Sequence, residues 1–580
     1  MNNAYIKIKP HISYIIRQQK SCMNYTKAHI VFILFFLTSV VFSTLLMFHT
    51  FSYDQKNRSM EIAVKCWSDF GAHIPLIRSF SHGGNFDRML NFEMPEYPIF
   101  PGEPIRYHYL FYMVVGFLEK IGIRIDYALN IPSIVGFAGL LSLIGILAYK
   151  LFRSYPVAFL SVLFFLFNGS ASFLKFFEKN PLSFHSLRDI MTNTAFPSFG
   201  PWDSGLVSAF WNLNIYTNQR HLAAGFFLGL SIIALCLFLE KKHWRDQVPY
   251  LFISVPILSL LPSSHQPMLI ILGLCMMWYI VCFPKLRIFL ILSGIFSIGA
   301  IIVQLISYSG NSSSFSWYPG YLIHTSLTPL SFIVYWFYNL GFHLILIPIG
   351  FILAPIRAKK IILPVFILFL VANLFRFSVE IAANHKFFNF CMIFGNMLSA
   401  YALVYAWRKL KKMRVPIFAL YTIFILLIFS MTLSGIIDFF AVVNDRSMPI
   451  VDMPKNEIAS WIAHNTPNDA IILNTSYLYN PASIAGRSIF LGWPYFPWSA
   501  GYNENRMPIM DDMYASKNPD VFCPLFQKYS ISYITVEEIN NDHNLPDIDP
   551  RYFLSLGKPL FTARDDTYMI FDTKTICPFP

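Results

Sequence analysis

The first long apolar run of this 580-residue chain, HIVFILFFLTSVVFSTLLMFH at residues 29–49, decides its fold. The run contains no Asp, Glu, Lys or Arg, and its length is close to the roughly 20 residues that a helix needs to cross a bilayer. Over the whole chain 55% of the residues are hydrophobic and 13% are charged, whereas a soluble domain has about a quarter charged residues. We therefore predict an integral membrane protein that is mostly α-helical.

Similar apolar runs recur along the chain, and we predict about eleven transmembrane helices. The predicted spans cover about residues 29–49, 129–150, 155–170, 221–240, 249–263, 267–283, 287–307, 328–354, 361–377, 387–407 and 414–437. The two spans on either side of PSSHQP, residues 262–267, are short. That break is either a tight outer turn or a broken hairpin whose irregular backbone lines a cavity, and both alternatives place His265 at the membrane edge.

Lysine and arginine predict the orientation, because short cytoplasmic connections carry an excess of them. They are concentrated in the N-terminal arm, residues 1–28, and in every second connection after it, such as RKLKKMR at 408–414. The N-terminus is therefore predicted to be cytoplasmic and the C-terminus to lie outside. A cleaved signal peptide is the alternative for residues 1–49, but the basic arm is long and no clear small-residue cleavage site follows the run.

The net charge of +12 does not indicate binding to nucleic acid. Most basic residues lie in short connections beside the membrane, where they set topology and contact anionic lipid head groups. The sequence also has no zinc-finger spacing and no Walker loop. The expected partners are membrane lipids rather than nucleic acid.

The chain divides into three predicted segments. They are a cytoplasmic basic arm (1–28), a multi-span domain (29–438) with large outer loops at 50–128 and 171–220, and an outer-face α/β domain (439–580). In the last segment short strand-like runs, such as AIILN at 470–474 and YITVE at 533–537, alternate with helical ones. Cys523 and Cys577 both lie there, and a disulfide between them is an option in an oxidising compartment.

The stretch WSDFGAHIPLIR, residues 67–78, follows the first predicted span and places Asp69 and His73 four residues apart. That spacing puts both on one face of a helix. Asp69 is a candidate general base if partial burial raises its pKa, and His73 is a candidate to orient it or share the proton. The alternative for Asp69 is the N-cap of a short interfacial helix, which is compatible with the first role.

A second polar stretch, RFSVEIAANHKFFNF at 376–390, lies between two predicted spans on the outer side. Basic residues there oppose the cytoplasmic bias, and cations at one surface suit an anionic lipid phosphate. The alternative is that Arg376 and Lys386 only extend their charges to the interface. The predicted residues for binding substrate or lipid phosphate are Arg78, Arg106, His108, Arg220, His265, Arg376, His385, Lys386, Arg487 and Arg506.

The C-terminal segment contains AGRSIFLGWPYFPWSAGYNENR at 485–506, which is rich in glycine and aromatic residues. It lacks the G-x-G-x-x-G pattern of dinucleotide-binding loops. Its aromatic and arginine side chains either line a groove for sugar or lipid phosphate, or pack the C-terminal domain onto the membrane part.

Together these motifs resemble the GT-C superfamily of integral-membrane glycosyltransferases, which use polyprenyl-phosphate sugars as donors. The resemblance rests on Asp69, on RYHYLFY at 106–112, on NHKFFNF at 384–390 and on the outer C-terminal region. It implies a GT-C-like fold with Asp69 as the general base, and with Arg376, His385 and Lys386 on the phosphate side. No second acid stands directly beside Asp69 and the second loop has no D-x-D motif, so the need for a divalent metal stays open and no other cofactor is expected.

The predicted function is transfer of a sugar from a polyprenyl-phosphate donor to an unknown acceptor on the outer face. A transporter or flippase of a lipid-linked or anionic substrate is the second candidate, but the charges lie at the outer edge rather than at span centres. A non-catalytic scaffold for envelope assembly is the third. A transferase requires Asp69 and the 376–386 edge to share a cavity, because reacting groups must come within about 3–3.5 Å of one another.

Overall fold

The computed structural model describes residues 30–198, 210–308, 315–537 and 548–577, so the arm predicted at 1–28 lies outside the described residues. The helices are α1 Ile30–Thr50, α2 Trp67–Ser81, α3 Asn85–Leu90, α4 Tyr109–Lys120, α5 Ile125–Phe152, α6 Tyr155–Leu166, α7 Phe173–Lys179, α8 Ser186–Met191, α9 Asn214–Asn218, α10 Arg220–Leu239, α11 Trp244–Gln247, α12 Leu251–Cys282, α13 Arg287–Tyr308, α14 Pro329–Leu340, α15 His343–Leu353, α16 Ile356–Leu374, α17 His385–Lys412, α18 Ile417–Ser430, α19 Leu433–Val443, α20 Glu457–Asn465, α21 Pro481–Ile484, α22 Tyr495–Ser499, α23 Met507–Ala515, α24 Pro519–Lys528, α25 Pro550–Leu556 and α26 Thr573–Ile576. The strands are β1 Phe51–Asp54, β2 Ser59–Ala63, β3 Ser316–Trp317, β4 Phe375–Arg376, β5 Ser447–Val451, β6 Ile471–Leu473, β7 Ser488–Ile489, β8 Ile531–Glu537, β9 Phe561–Thr562 and β10 Tyr568–Asp572.

In the described part of the chain, 6 helical segments are long and apolar enough to cross a membrane, and the number rises to 8 if each of two bent pairs is one span. The bent pairs are α14 with α15, at 91°, and α18 with α19, at 49°. The chain is therefore a mostly helical membrane protein, but this number is smaller than the eleven predicted spans. The run predicted at 155–170 forms only the 12-residue helix α6, and α16 carries Arg357, Lys359 and Lys360 in its first turns.

The predicted break at PSSHQP is present as a kink at His265, where two helical stretches meet. Helix α12 continues from Leu251 to Cys282, and only His265 has non-helical backbone angles, with φ −167° and ψ 89°. Pro267 has no N–H to donate to the carbonyl four residues earlier, so the helical hydrogen bonding fails here. The two short predicted spans thus correspond to two helical stretches that meet at a kink at His265, with no longer connection between them.

The helices of the membrane part share one hydrophobic core, to which α5, α6, α10, α12 and α17 contribute. These helices differ in how much of their apolar stretch is buried within the protein. The apolar stretch of Ile381–Lys412 is 89% buried within the protein, whereas that of α1 is 22% buried. Helix α17 is therefore central and α1 peripheral.

The outer region contains two of the sheets. Strands β1, β2 and β5 form an antiparallel sheet in which β2 is central, so the start of the first outer loop pairs with residues 447–451. The second sheet has five strands in the order β7-β6-β8-β10-β9, parallel from β7 to β8 and antiparallel beyond. Helices α20 to α26 occur in the same part of the chain, as the alternating pattern predicted.

The first outer loop and the C-terminal region share a second hydrophobic core. Phe70 and Tyr112 from the loop belong to the same buried cluster as Ile472 and Phe571 from the five-stranded sheet. A disulfide between Cys523 and Cys577 closes the C-terminal part. Segments more than 300 residues apart in sequence therefore form one body, which we call the outer body after its predicted position.

Candidate functional site

A cavity of about 600 Å³ lies between this outer body and the membrane helices. Its walls come from α2, α9, the break in α12, the start of α17 and the loops that adjoin them. The predicted site residues that line it are Asp69, His73, Arg106, His108, His385 and Lys386. The shared cavity that a transferase requires is present.

Asp69 lies in the first turn of α2, where a negative charge interacts favourably with the helix dipole. The helix begins at Trp67 after Cys66, so Asp69 is the third helical residue and not the N-cap. Its carboxylate forms no hydrogen bond or ion pair with any described residue. Burial raises the pKa of Asp69 to about 6, against the opposing charge of Lys386 and with a smaller contribution from Glu380. Asp69 is therefore a carboxylate that can accept a proton near neutral pH.

His73 lies one turn further along α2 and is buried, with 3% of its surface exposed. Its ring stacks on Tyr112 at 4.5 Å between centroids. Burial lowers the pKa of His73 to about 3, so the ring is neutral. Its Nδ1 has no hydrogen-bond partner in the described structure. A direct hydrogen bond from His73 to Asp69 is not formed, so the predicted orienting role has no contact to support it.

Lys386 lies in the first turn of α17 and is buried. No carboxylate of the described chain is within ion-pair distance of its ammonium group, and its Nζ lies 3.4 Å from Nε2 of His108. The backbone nitrogen of Gln266 lies 3.4 Å from Nδ1 of His108. Burial lowers the pKa of His108, so the ring is neutral.

The ammonium group of Lys386 has further N–H donors besides the one that it directs at Nε2 of His108. An anionic oxygen beside it can accept a hydrogen bond from these donors. His385 lines the same part of the cavity, and the side-chain amide of Asn389 donates to its Nδ1 over 3.1 Å. The chemistry of this donor set fits a phosphate group.

Other imidazoles lie beneath this end of the cavity. The ring of His108 stacks on His265 at 5.0 Å and lies 4.9 Å from the ring of His221, whose Nδ1 is 2.9 Å from the hydroxyl of Tyr112. His265 is predicted as a site residue but does not line the cavity; its Nδ1 accepts the N–H of Met268 over 3.2 Å. Among the described residues no three His, Cys, Asp or Glu side chains are grouped as ligands for a metal ion.

A second carboxylate, Glu380, lines the cavity together with Tyr495. The Tyr495 hydroxyl donates to Oε2 of Glu380 over 2.5 Å. Burial raises the pKa of Glu380, although Tyr495 and Lys386 oppose that rise. Neither Glu380 nor Tyr495 is among the site residues predicted from the sequence. An acid within the basic stretch 376–390 and the aromatic stretch 485–506 were the available signals.

Two predicted arginines lie away from the cavity because protein groups already use their donors. The guanidinium of Arg78 is 2.8 Å from Asp452 and 3.3 Å from Glu119. Arg220 donates to the carbonyl of Thr217 over 2.7 Å and to the hydroxyl of Thr50 over 2.8 Å. Both are buried within the protein and neither lines the cavity.

Three further predicted arginines also lie outside the cavity. Arg106 lines the cavity, but protein groups hold its guanidinium group. Arg487 donates to backbone carbonyls, Arg506 pairs with Glu504 at 3.0 Å, and Arg376 belongs to the β3–β4 ladder. The guanidinium of Arg106 is held by Glu103 and by the carbonyl of Gly501, each at 2.8 Å. In the described chain, Lys386 is thus the cation that faces the cavity without a carboxylate partner.

No protein-family model and no curated protein matches this sequence. Among solved structures the chain is similar to ArnT from Cupriavidus metallidurans bound to undecaprenyl phosphate, with a TM-score of 0.46 and 10% identity over 93% of this chain and 97% of that chain. It is also similar to the archaeal oligosaccharyltransferase AglB from Archaeoglobus fulgidus in complex with an inhibitory peptide and a dolichol-phosphate, with a TM-score of 0.42 and 12% identity over 87% of this chain and 69% of that chain.

Proposed function

We propose that this protein transfers a sugar from a polyprenyl-phosphate donor to an acceptor on the outer face of the membrane. The observation that carries the proposal is that the carboxylate of Asp69 and the ammonium group of Lys386 line one cavity without pairing to each other in the described structure. An ion pair would neutralise both groups. Held apart, each remains available to a substrate.

The chemistry needs one proton acceptor and one stabilised leaving group. The acceptor oxygen or nitrogen attacks the anomeric carbon and forms the new bond, while its proton passes to the carboxylate of Asp69. The bond from the anomeric carbon to the phosphate oxygen breaks, and the electron pair leaves with the polyprenyl phosphate. The ammonium group of Lys386 then stabilises the negative charge on that phosphate.

The position of Lys386 supports a lipid-linked donor. The residue lies near the start of the candidate span Ile381–Lys412. A phosphate held there lies at the edge of the hydrocarbon region, so the polyprenyl chain can remain among the lipids. The sugar then points into the cavity and toward the outer body.

The distribution of charge favours this proposal over transport. A translocation path needs polar groups along the spans. In the described structure the charged cavity residues come from loops and helix starts on one side. Arg220, a buried cation of a candidate span, already donates to protein oxygens and lies outside the cavity.

The proposal can be tested on the full-length protein in lipid nanodiscs. The first measurement is binding of undecaprenyl phosphate to the wild type, Lys386→Met and Lys409→Met. Loss of a buried charged contact should weaken binding at least about tenfold in Lys386→Met. Lys409 is an exposed lysine on the same helix, so Lys409→Met should bind as the wild type does.

The second measurement is sugar transfer from a panel of polyprenyl-phosphate sugars. Asp69→Asn should bind undecaprenyl phosphate normally but lose transfer, because it cannot accept the proton. Full turnover in Asp69→Asn would remove the base assignment. Movement of the donor across the membrane without formation of a glycosidic bond would overturn the proposal in favour of a transporter.

A further inference from the structure

One wall of the cavity is made by an aromatic segment, WPYFPWSAG at residues 493–501. Trp493, Tyr495 and Phe496 line the cavity, and the first two remain 39% and 36% exposed. Large aromatic side chains that keep an open face toward a cavity are available for contact with a ligand. Neither the proton acceptor nor the phosphate side of the proposed reaction uses them.

The aromatic segment is fixed at both ends to the first outer loop. Before it, the N–H of Gly492 donates to the carbonyl of Ile99 over 2.9 Å. A side chain at position 492 would come within 2.6 Å of the Ile99 side chain, so this close approach requires glycine. After it, Arg106 holds the carbonyl of Gly501 at 2.8 Å and the Tyr502 hydroxyl donates to the carbonyl of Pro104 over 2.6 Å. The aromatic faces are therefore held in place before any ligand binds.

Polar acceptors stand beside these aromatic faces. The Glu380 carboxylate receives the Tyr495 hydroxyl through Oε2 and has no other hydrogen-bond partner among the described residues. Gln219 also lines the cavity, and its buried Oε1 has no partner in the described chain. Asp69 is close enough for its charge to act on both Glu380 and Tyr495.

Resting on the proposed function, we infer that Trp493, Tyr495 and Glu380 form a subsite for a pyranose ring, and that the acceptor is a carbohydrate. A pyranose has an apolar C–H face that can stack on an aromatic ring and an edge of hydroxyls that can donate to carboxylate and amide oxygens. A ring stacked here places its hydroxyls near Asp69, which the transfer requires.

Two other acceptor chemistries fit the wall less well. An extended peptide pairs its backbone with a free strand edge, and no strand of the described chain contributes to the cavity lining. An acyl chain would leave the carboxylate and amide oxygens without hydrogen-bond partners. A sugar ring can contact both the aromatic faces and the polar oxygens of this wall, whether it belongs to a glycan chain or to the head group of a glycolipid.

The test uses the full-length protein in nanodiscs on an oligosaccharide array, followed by affinity measurements with the oligosaccharide that gives the strongest signal. The variants are Trp493→Ala, the conservative Trp493→Tyr, and Trp498→Ala as the matched control. Trp498 lies in the same segment and is 49% exposed, but it does not line the cavity. The same sugar is then presented as a glycolipid head group within the nanodisc to distinguish the two sources.

We expect Trp493→Ala to weaken oligosaccharide binding about tenfold, the effect of losing one stacked ring. Trp493→Tyr should retain most of the affinity, and Trp498→Ala all of it. Undecaprenyl phosphate should bind all variants equally, which also shows that they are folded. Tighter binding of the free or of the lipid-anchored sugar supports the subsite in either case and identifies the source.

The inference is overturned if no arrayed oligosaccharide binds, if Trp493→Ala binds as tightly as the wild type, or if a peptide array gives the Trp493-dependent signal instead. Failure of the proposed function has a different signature, because no polyprenyl-phosphate sugar would then be consumed. Sugar transfer that proceeds with an acceptor KM unaffected by Trp493→Ala would remove the subsite and leave the transferase.

Discussion

Residues of the same charge have different roles in this protein, and the groups that each residue contacts determine its role. Arg78 and Lys386 are both buried cations on the outer side, but Arg78 contacts two carboxylates whereas Lys386 has none within ion-pair distance in the described structure. Burial without such a partner costs free energy, so it is retained where a ligand supplies the missing charge. Lys386 is therefore the cation that we assign to substrate.

The sequence alone could not make this distinction. The carboxylates that occupy Arg78 come from residues 119 and 452, and the second of these is 374 positions away. Asp69, by contrast, could be predicted, because its place after the first apolar run and in the first turn of a helix is local information. Candidate residues follow from position and type, whereas their availability depends on contacts between distant segments.

The pKa of Asp69 gives a test at the scale of one residue. A general base works in its deprotonated form, so the transfer rate should rise as pH increases through about 6 and then level off. The measurement is kcat/KM for donor consumption between about pH 4.5 and 8. Glu380→Gln removes a negative charge that raises the pKa of Asp69, so the midpoint should move to lower pH.

An exposed acid in the next helix provides the control for this pH profile. Asp87 lies in α3 with its side chain exposed, and Asp87→Asn should show the wild-type profile. A flat profile for the wild type, or a midpoint that moves to higher pH in Glu380→Gln, would contradict the assignment of Asp69.

At the scale of elements, helix α12 shows what apolar runs can and cannot predict. The prolines around His265 correctly indicated an interruption. They did not give the angle between the two stretches of α12, a helix that packs against α10, α13 and α16. The eleven predicted spans are not confirmed by the 6 to 8 candidate spans of the described chain, because an apolar run does not show whether its helix crosses the membrane alone or is bent against the next one.

The contact between α10 and the break in α12 can be tested with a glycine. A Cβ at Gly225 would meet the Cβ of His265 at 2.6 Å, so Gly225→Ala forces one helix away from the other. We expect a loss of about 1–3 kcal/mol in the free energy of unfolding, which is typical of overpacking. The measurement is the Tm of the purified protein in detergent.

A second glycine in the same helical region serves as the matched control. A Cβ at Gly273 of α12 meets nothing within 4 Å. Gly273→Ala should therefore leave the Tm unchanged or raise it, because alanine has the higher helix propensity by about 1 kcal/mol. Equal Tm values for the two alanine variants would show that α10 and α12 do not approach each other as closely as described.

The disulfide between Cys523 and Cys577 joins α24 to the turn that follows α26. It closes a loop with a sequence separation of 54, for which the chain-entropy model gives about 4 kcal/mol of stabilisation. Cys523→Ser with Cys577→Ser should lower the Tm of the protein. Reductant should lower the Tm of the wild type but not that of the double variant. A wild type that is insensitive to reductant would show that the bond does not stabilise this region.

The whole molecule is organised around the meeting of two cores. The membrane helices have one core, and the first outer loop and the C-terminal region share the other. The cavity lies at their boundary, since α2 belongs to the outer body and α17 to the helical bundle. Hydropathy predicted the membrane part and alternating patterns predicted the C-terminal strands, but neither pattern reports that distant segments combine into one body. That union places the aromatic segment and Asp69 in the lining of the same cavity.

The buried triad of Arg78, Glu119 and Asp452 should be essential to that union, because it joins α2 and α4 to the C-terminal region. Arg78→Met would leave two buried carboxylates facing each other without a cation, at a cost of about 3–5 kcal/mol. We expect a lower Tm together with faster proteolysis of the outer body, while the helical bundle stays protected. Arg88→Met is the control, since Arg88 is 32% exposed where it pairs with Glu96 at 2.8 Å, and such surface pairs contribute about 0–1 kcal/mol. If Arg78→Met unfolds no earlier than Arg88→Met, the two outer segments are joined by their apolar core and the triad adds only specificity to their contact.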